Sequence, residues 1–267
     1  MGNPYFELTE EFNGGATIAL LSSGQAVVWY RKALMSKDGD WVVEESAAAC
    51  QRILTVLSAR GARYRLGAPL DPRWLAGGWS SHLEFQDVRR RRIRCDFVSR
   101  PPRVDLGTVR ALLRRPPAPG APAVMDLESL IRLKRTQRAK DYPVIGELAR
   151  SLPEALELRY TTDPDRILAL AARWSEGIDR LPVREACRGA SRDGVVVALA
   201  REIDALQQAD RVRVEAYAEA SRGYVDALRR SGLLERPCAE SHPAFVEIAG
   251  RLLPPVLPAG GGDACNC

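Results

Sequence analysis

The stretch Ser36-Lys37-Asp38-Gly39-Asp40-Trp41-Val42-Val43 decides how the rest of the chain is read. From Asp40 to Val43 the composition is that of a strand, with an aromatic residue and two β-branched residues in a row. Alternate residues of a strand point to one side, so Asp38 and Asp40 project together. Two carboxylates held that close repel each other. A hard divalent cation between them removes the conflict, and oxygen-only ligands suit Mg²⁺ or Mn²⁺. Lys-Asp-Gly-Asp is also good turn composition, so the motif alone admits both readings.

Upstream, Thr17 to Leu21 is a short apolar run broken by Ser22-Ser23-Gly24. Gln25 to Ala33 then places Ala26, Val27, Trp29, Tyr30 and Ala33 at roughly helical spacing. A small-residue turn between strand and helix lets backbone N–H groups and a hydroxyl approach a phosphate. Downstream, Ser46 can cap a helix reaching about Ser58, and Gly61 can end it. Arg63 to Leu66 reads as a strand and Asp71 to Gly78 as a loop. Ser80 to Phe85 and Arg92 to Val98 form an antiparallel pair joined by residues 86–91. In that second strand Ile93, Cys95 and Phe97 face the core, and Arg92, Arg94 and Asp96 face away. Asp96 is either a solvent-facing acid or, if its strand lies beside that of Asp38 and Asp40, a third metal ligand. Three carboxylates allow a two-metal site that activates a hydroxyl and stabilises a leaving pyrophosphate.

Beyond the Pro-rich loop at 116–122 the pattern is helical. Asp126 caps a helix carrying Leu127, Leu130, Ile131 and Leu133, and a second runs from about Tyr142 to Leu152. Asp163-Pro164 starts a third. A long amphipathic stretch from Gly194 to Arg230 is expected to break near Arg222-Gly223. The fold class is α+β: a mixed sheet flanked by helices, followed by a C-terminal helical region. The expected organisation is a first domain over 1–152, a helical domain over 153–250 and a mobile Pro/Gly-rich tail over 251–267.

The order of these segments carries a resemblance. Leu20-Leu21-Ser22-Ser23-Gly24-Gln25-Ala26, then the Asp38-Gly39-Asp40 strand, then Ile93-Arg94-Cys95-Asp96-Phe97-Val98, resembles the nucleotidyltransferase (polymerase-beta-like) superfamily. Asp126 to Lys134, followed by Lys140-Asp141-Tyr142 and Ile145, is similar to the end of the small bacterial nucleotidyltransferases of the abortive-infection, type IV toxin–antitoxin kind. The resemblance covers about residues 14 to 150. It implies an enzyme that moves a nucleoside monophosphate from an NTP to a hydroxyl acceptor, in a toxin–antitoxin-like setting. Asp38, Asp40 and Asp96 would be catalytic and would hold Mg²⁺ or Mn²⁺. Ser22, Ser23 and Gly24 would bind the nucleotide, Lys134 and Lys140 would face its phosphates, and Asp141 would position a lysine or cap its helix. The acceptor left open is a small molecule, a protein or a tRNA. Two positions depart from the family: the turn is Ser-Ser-Gly where Gly-Gly or Gly-Ser is commoner, and Gly39 replaces a bulky aliphatic residue.

Those departures support a rival reading, a degenerate nucleotidyltransferase fold acting as a binding or regulatory partner. Internal pairing of Arg92 or Arg94 with Asp96 would favour it. Composition restricts other classes. The chain has 267 residues, 46 % hydrophobic and 27 % charged, with a net charge of +5, ordinary for a globular protein and permissive of an anionic partner. No run of about 18 apolar residues marks a membrane span, and no secretory signal is visible, so the expected location is the cytoplasm. Of the six cysteines, Cys50 and Cys95 read as buried thiols, and no disulfide framework is expected. The run Val88 to Arg94 reads as a solvated basic hairpin tip rather than a nucleic-acid grip. The only histidines, His82 and His242, have no triad-like context in the sequence.

Overall fold

Asn3 and Pro4 open the first helix, α1 (Pro4–Phe12), of the computed structural model, which describes residues 2–257. The Asn3 side chain accepts the Tyr5 N–H, and Pro4 supplies the fixed φ of a first helical residue. Tyr5, Leu8 and Phe12 make its buried stripe, which the acids between them mask in the sequence. Then follow β1 (Ala19–Ser22), α2 (Ser23–Trp29), β2 (Asp38–Val43), α3 (Ala47–Ser58), β3 (Arg63–Tyr64), α4 (Pro72–Ala76), β4 (Ser81–Gln86), β5 (Arg92–Val98) and α5 (Leu106–Leu113). The strands form one five-stranded mixed sheet in the order β1-β2-β5-β4-β3. Strands β2 and β5 run parallel, and every other neighbouring pair is antiparallel.

One face of this sheet is the core. Trp41 and Phe97 stack with ring centroids 5.4 Å apart, and Phe12 meets both edge-on. The Trp41 indole N–H donates to Thr9 Oγ1 at 2.9 Å, so the polar tip of a fully buried ring is satisfied. Ile53, Leu54 and Leu57 of α3 close the same cluster. The segment Asp71–Gly78, expected as a loop, contains α4: Asp71 caps it, Pro72 takes the first turn, and Trp74 and Leu75 are buried. The start signal equals that of Asp163-Pro164, but the helix is too short to show a period.

Among the described residues, those up to Met125 and those from Ala216 to Leu257 make one compact unit, and Asp126–Glu215 make a second. The second holds α6 (Leu127–Lys134), α7 (Asp141–Ala149), α8 (Glu154–Tyr160), α9 (Pro164–Trp174), α10 (Leu181–Cys187) and the first part of α11 (Arg192–Ser231). Its core is Leu158, Ile167, Leu170, Ala171, Val183, Val195 and Leu199. The boundary expected after residue 152 does not coincide with this division. Helices α6 and α7 are tied to α8 and its exit: Arg132 Nε donates to Tyr160 Oη, Tyr160 Oη to Glu128, and Thr162 Oγ1 to the Tyr142 carbonyl.

The break expected at Arg222-Gly223 is absent, and α11 runs for 40 residues. A helical glycine costs only about 1 kcal/mol, while Tyr224 and Leu228, just beyond it, are buried in the first unit's core. A final helix, α12 (Cys238–Leu252), adds Phe245 and Ala249 to that core. Of the tail expected to be mobile, residues 251–257 are held: Trp79 Nε1 donates to Pro254 O at 2.8 Å, and Leu257 N donates to Gly77 O at 2.8 Å. Residues 258–267, with Cys265 and Cys267, lie outside the described residues. Among the described residues no helix is long and apolar enough to cross a membrane.

Candidate functional site

The register of β2 and β5 builds the site. In the parallel pair Asp40 lies beside Asp96, and Asp38 lies beside Arg94. Neighbouring strands are about 4.8 Å apart, and alternate residues along one strand are about 6.6 Å apart. The three acids therefore stand on two adjacent strands, on one face. Gly39, Trp41, Cys95 and Phe97 point into the opposite, buried face. On the other side of β2, Ser22 pairs with Asp40, and Ser22 Oγ donates to the Asp40 carbonyl at 3.0 Å. This brings the Ser22-Ser23-Gly24 turn against the acid strand. Ser23 takes a left-handed φ of 48°, a conformation that costs a residue with a Cβ. Gly24 has Ser36 so close that a Cβ would lie 2.2 Å from its Oγ.

Gly39 has a specific reason. A Cβ there would lie 2.4 Å from Trp41 Cη2 and 2.5 Å from Tyr5 Cδ1, so these two rings fill the volume an aliphatic side chain would take. Tyr5 also donates its hydroxyl to the Lys37 carbonyl at 2.6 Å, and burial pushes its pKa up to about 12. The strand that a bare glycine would loosen is held by aromatic packing at the residue between the acids.

The acid face also carries cations. Arg94 Nη1 lies 3.3 Å from Asp38 Oδ1, and Arg65 Nη1 lies 3.0 Å from Asp96 Oδ1. His82, opposite Asp96 on β4, puts Nδ1 2.8 Å from the same oxygen, out of line for a hydrogen bond, while its Nε2 meets Ser80 Oγ at 2.9 Å. Ser80 Oγ is shared with the Tyr217 hydroxyl, also at 2.9 Å. Ser80, His82 and Asp96 thus adjoin one another, a context not evident in the sequence. The alternation of β4 and its register with β5 would have revealed it, since Ser80 and His82 share the parity of Asp96's partner. Arg92, one of the two arginines considered for Asp96, pairs instead with Glu84 at 2.6 Å. The basic tip is partly self-neutralised, because Asp87 accepts from the Arg89 and Arg91 N–H groups and from Arg91 Nε.

Three carboxylates in register, all oxygen donors on one face, suit a hard divalent cation in chemistry and in backbone placement. As the side chains now lie, no group of three His, Cys, Asp or Glu among the described residues forms a metal cluster. Asp38 and Asp96 are engaged by guanidinium groups instead.

In the second unit Lys134 and Asp141 form a buried pair at 3.2 Å, each side chain 7 % exposed. Thr136 Oγ1 donates to the other Asp141 oxygen at 3.1 Å, and Arg138 Nε lies 3.1 Å from it. Asp141 is the first residue of α7 and receives Lys134 from the end of α6, so it positions a lysine at a helix N-terminus that itself favours negative charge. Lys140 is exposed. No protein-family model, curated protein or solved structure matches the chain.

Proposed function

We propose that this chain is a metal-dependent nucleotidyltransferase, moving a nucleoside monophosphate from an NTP to a hydroxyl on a small molecule, a protein or an RNA. The observation that supports it most is the parallel register Asp40–Asp96, with Asp38 two residues away on the same face and Ser22 bonded across to Asp40. Asp38, Asp40 and Asp96 would hold Mg²⁺ or Mn²⁺. When bound, the metal supplies charge neutralisation and Lewis acidity at the phosphates. Asp96, on the strand next to the pair, would accept the proton of the acceptor hydroxyl. Ser23 and Gly24 would offer backbone N–H groups to the phosphates. In the second unit, Lys140 is exposed and Lys134 is buried.

A second reading, a catalytically degenerate protein that binds or regulates a partner, is favoured by one observation. Arg94 and Arg65 already occupy Asp38 and Asp96. Isothermal titration with ATP, CTP, GTP and UTP, with and without Mg²⁺, separates the two. The transferase reading expects Mg²⁺-dependent binding of at least one nucleotide, abolished in an Asp38→Ala/Asp40→Ala variant. Absence of binding at millimolar concentration of all four would favour the degenerate reading.

A further inference from the structure

Arg94 uses its guanidinium poorly. Its side chain donates to Asp38 at a long 3.3 Å, and its Nε is buried without a hydrogen-bond partner. A buried donor left unmade is costly, so the residue is poised for an acceptor beyond Asp38. Arg65 sits just past β3, fixed by its own N–H bonded to the His82 carbonyl, and reaches Asp96 at 3.0 Å and Glu84 at 3.7 Å. Both arginine side chains are about one-third exposed, 34 % for Arg94 and 31 % for Arg65, so the pairs are open to exchange.

The charge balance of the face gives the direction. A divalent cation that takes Asp38 and Asp96 leaves Arg94 without its carboxylate partner and leaves Arg65 only the 3.7 Å contact to Glu84, which Arg92 already holds at 2.6 Å. A triphosphate arriving with the cation supplies counter-ions for both, and arginine is the side chain best shaped to take two phosphate oxygens at once.

We propose that Arg94 and Arg65 are exchange counter-ions and triphosphate ligands: they neutralise Asp38 and Asp96 while the site holds no metal, and bind phosphate oxygens once a metal–nucleotide complex has taken the carboxylates. This rests on the nucleotidyltransferase reading of the acid face. Removing either arginine then acts on two equilibria in opposite directions. Binding of metal alone strengthens, because a competing cation is gone, and metal-dependent binding of nucleotide weakens. A purely structural arginine would weaken both.

The test is titration of the full chain with Mn²⁺ alone, followed by paramagnetic resonance, and with Mn²⁺ plus a non-hydrolysable α,β-methylene NTP, followed by calorimetry. Arg94→Gln and Arg65→Gln are compared with Arg94→Lys, Asp38→Asn and the natural chain, each checked for folding by circular dichroism. The expected result is Mn²⁺ binding tightened several-fold in each Gln variant and nucleotide binding weakened about tenfold or more, the scale of a lost charge-assisted hydrogen bond. Arg94→Lys should fall closer to the natural chain in both. Unchanged or weakened Mn²⁺ binding in the Gln variants, or unchanged nucleotide binding, overturns the proposal. If the natural chain still binds the Mn²⁺–nucleotide complex and Asp38→Asn does not, the transferase reading survives that failure. If no form binds nucleotide with Mn²⁺, both fall together.

Discussion

The pair Lys134–Asp141 in the second unit and the pairs Asp38–Arg94 and Asp96–Arg65 in the first are chemically alike, each a carboxylate facing a cation at 3.0 to 3.3 Å. Their surroundings differ. Lys134 and Asp141 are buried, and Asp141 has two further partners, so separating them would strand a charge away from water. The first unit's pairs are partly open to solvent, which screens them and lets another ion compete. The first kind of pair holds a helix junction together. The second keeps a set of carboxylates neutral without committing them.

The largest expected effect tests the buried member. Lys134→Met should cost about 3 kcal/mol of stability in urea unfolding, as a buried ion loses its partner. Arg94→Gln should change stability by less than about 1 kcal/mol. Equal costs would break the comparison. Next comes the packing behind the acids. Gly39→Ala should lose about 1 to 3 kcal/mol, because its Cβ would run into Trp41 and Tyr5, which have no open side to retreat to. A neutral Gly39→Ala would mean that the acid strand is not held by those rings.

A smaller effect, graded with pH, contrasts a buried neutral group with the charged face. Tyr64 Oη accepts the Leu70 N–H at 3.1 Å and lies 2.8 Å from His242 Nδ1, a hydrogen bond whose direction follows the imidazole tautomer. Burial, opposed in part by Asp71, holds the His242 pKa below its usual value. The unfolded chain then takes up a proton first. Stability from this contact is complete above about pH 6.5 and is lost as pH falls from there towards the folded pKa, by at most about 1.4 kcal/mol per pH unit. Melting temperatures from pH 8 to 5 should show this fall, and His242→Gln should flatten it. A natural chain with no slope in that window would contradict the assignment.

Much of the sheet was legible in the sequence because its signals are local. Period-two alternation in 92–98, the Ser46 cap and the Asp163-Pro164 start are each set by neighbouring residues, and the α+β class follows from their order. The acids were legible for the same reason, since alternation alone puts Asp38 with Asp40 and Asp96 opposite the core. What was not legible depends on pairing between distant segments. Arg65, His82 and Ser80 join the acid face only through the registers of β3, β4 and β5, and no local pattern marks them. Gly39 looked like a weakness because the rings that fill its space come from Trp41 and from Tyr5, on a helix whose apolar stripe is hidden among acids. The return of residues Ala216 to Leu257 to the first unit is likewise set by packing, not by any break in the helical pattern.

The most direct test of the acid site is a crystal structure of the protein with Mn²⁺ and a non-hydrolysable NTP, read from the anomalous scattering of the metal. The account predicts Mn²⁺ bonded to oxygens of Asp38, Asp40 and Asp96, with the Arg94 and Arg65 guanidiniums moved from the carboxylates to the phosphates. Bound nucleotide with both arginine–aspartate pairs intact and no Mn²⁺ on the three acids would contradict it.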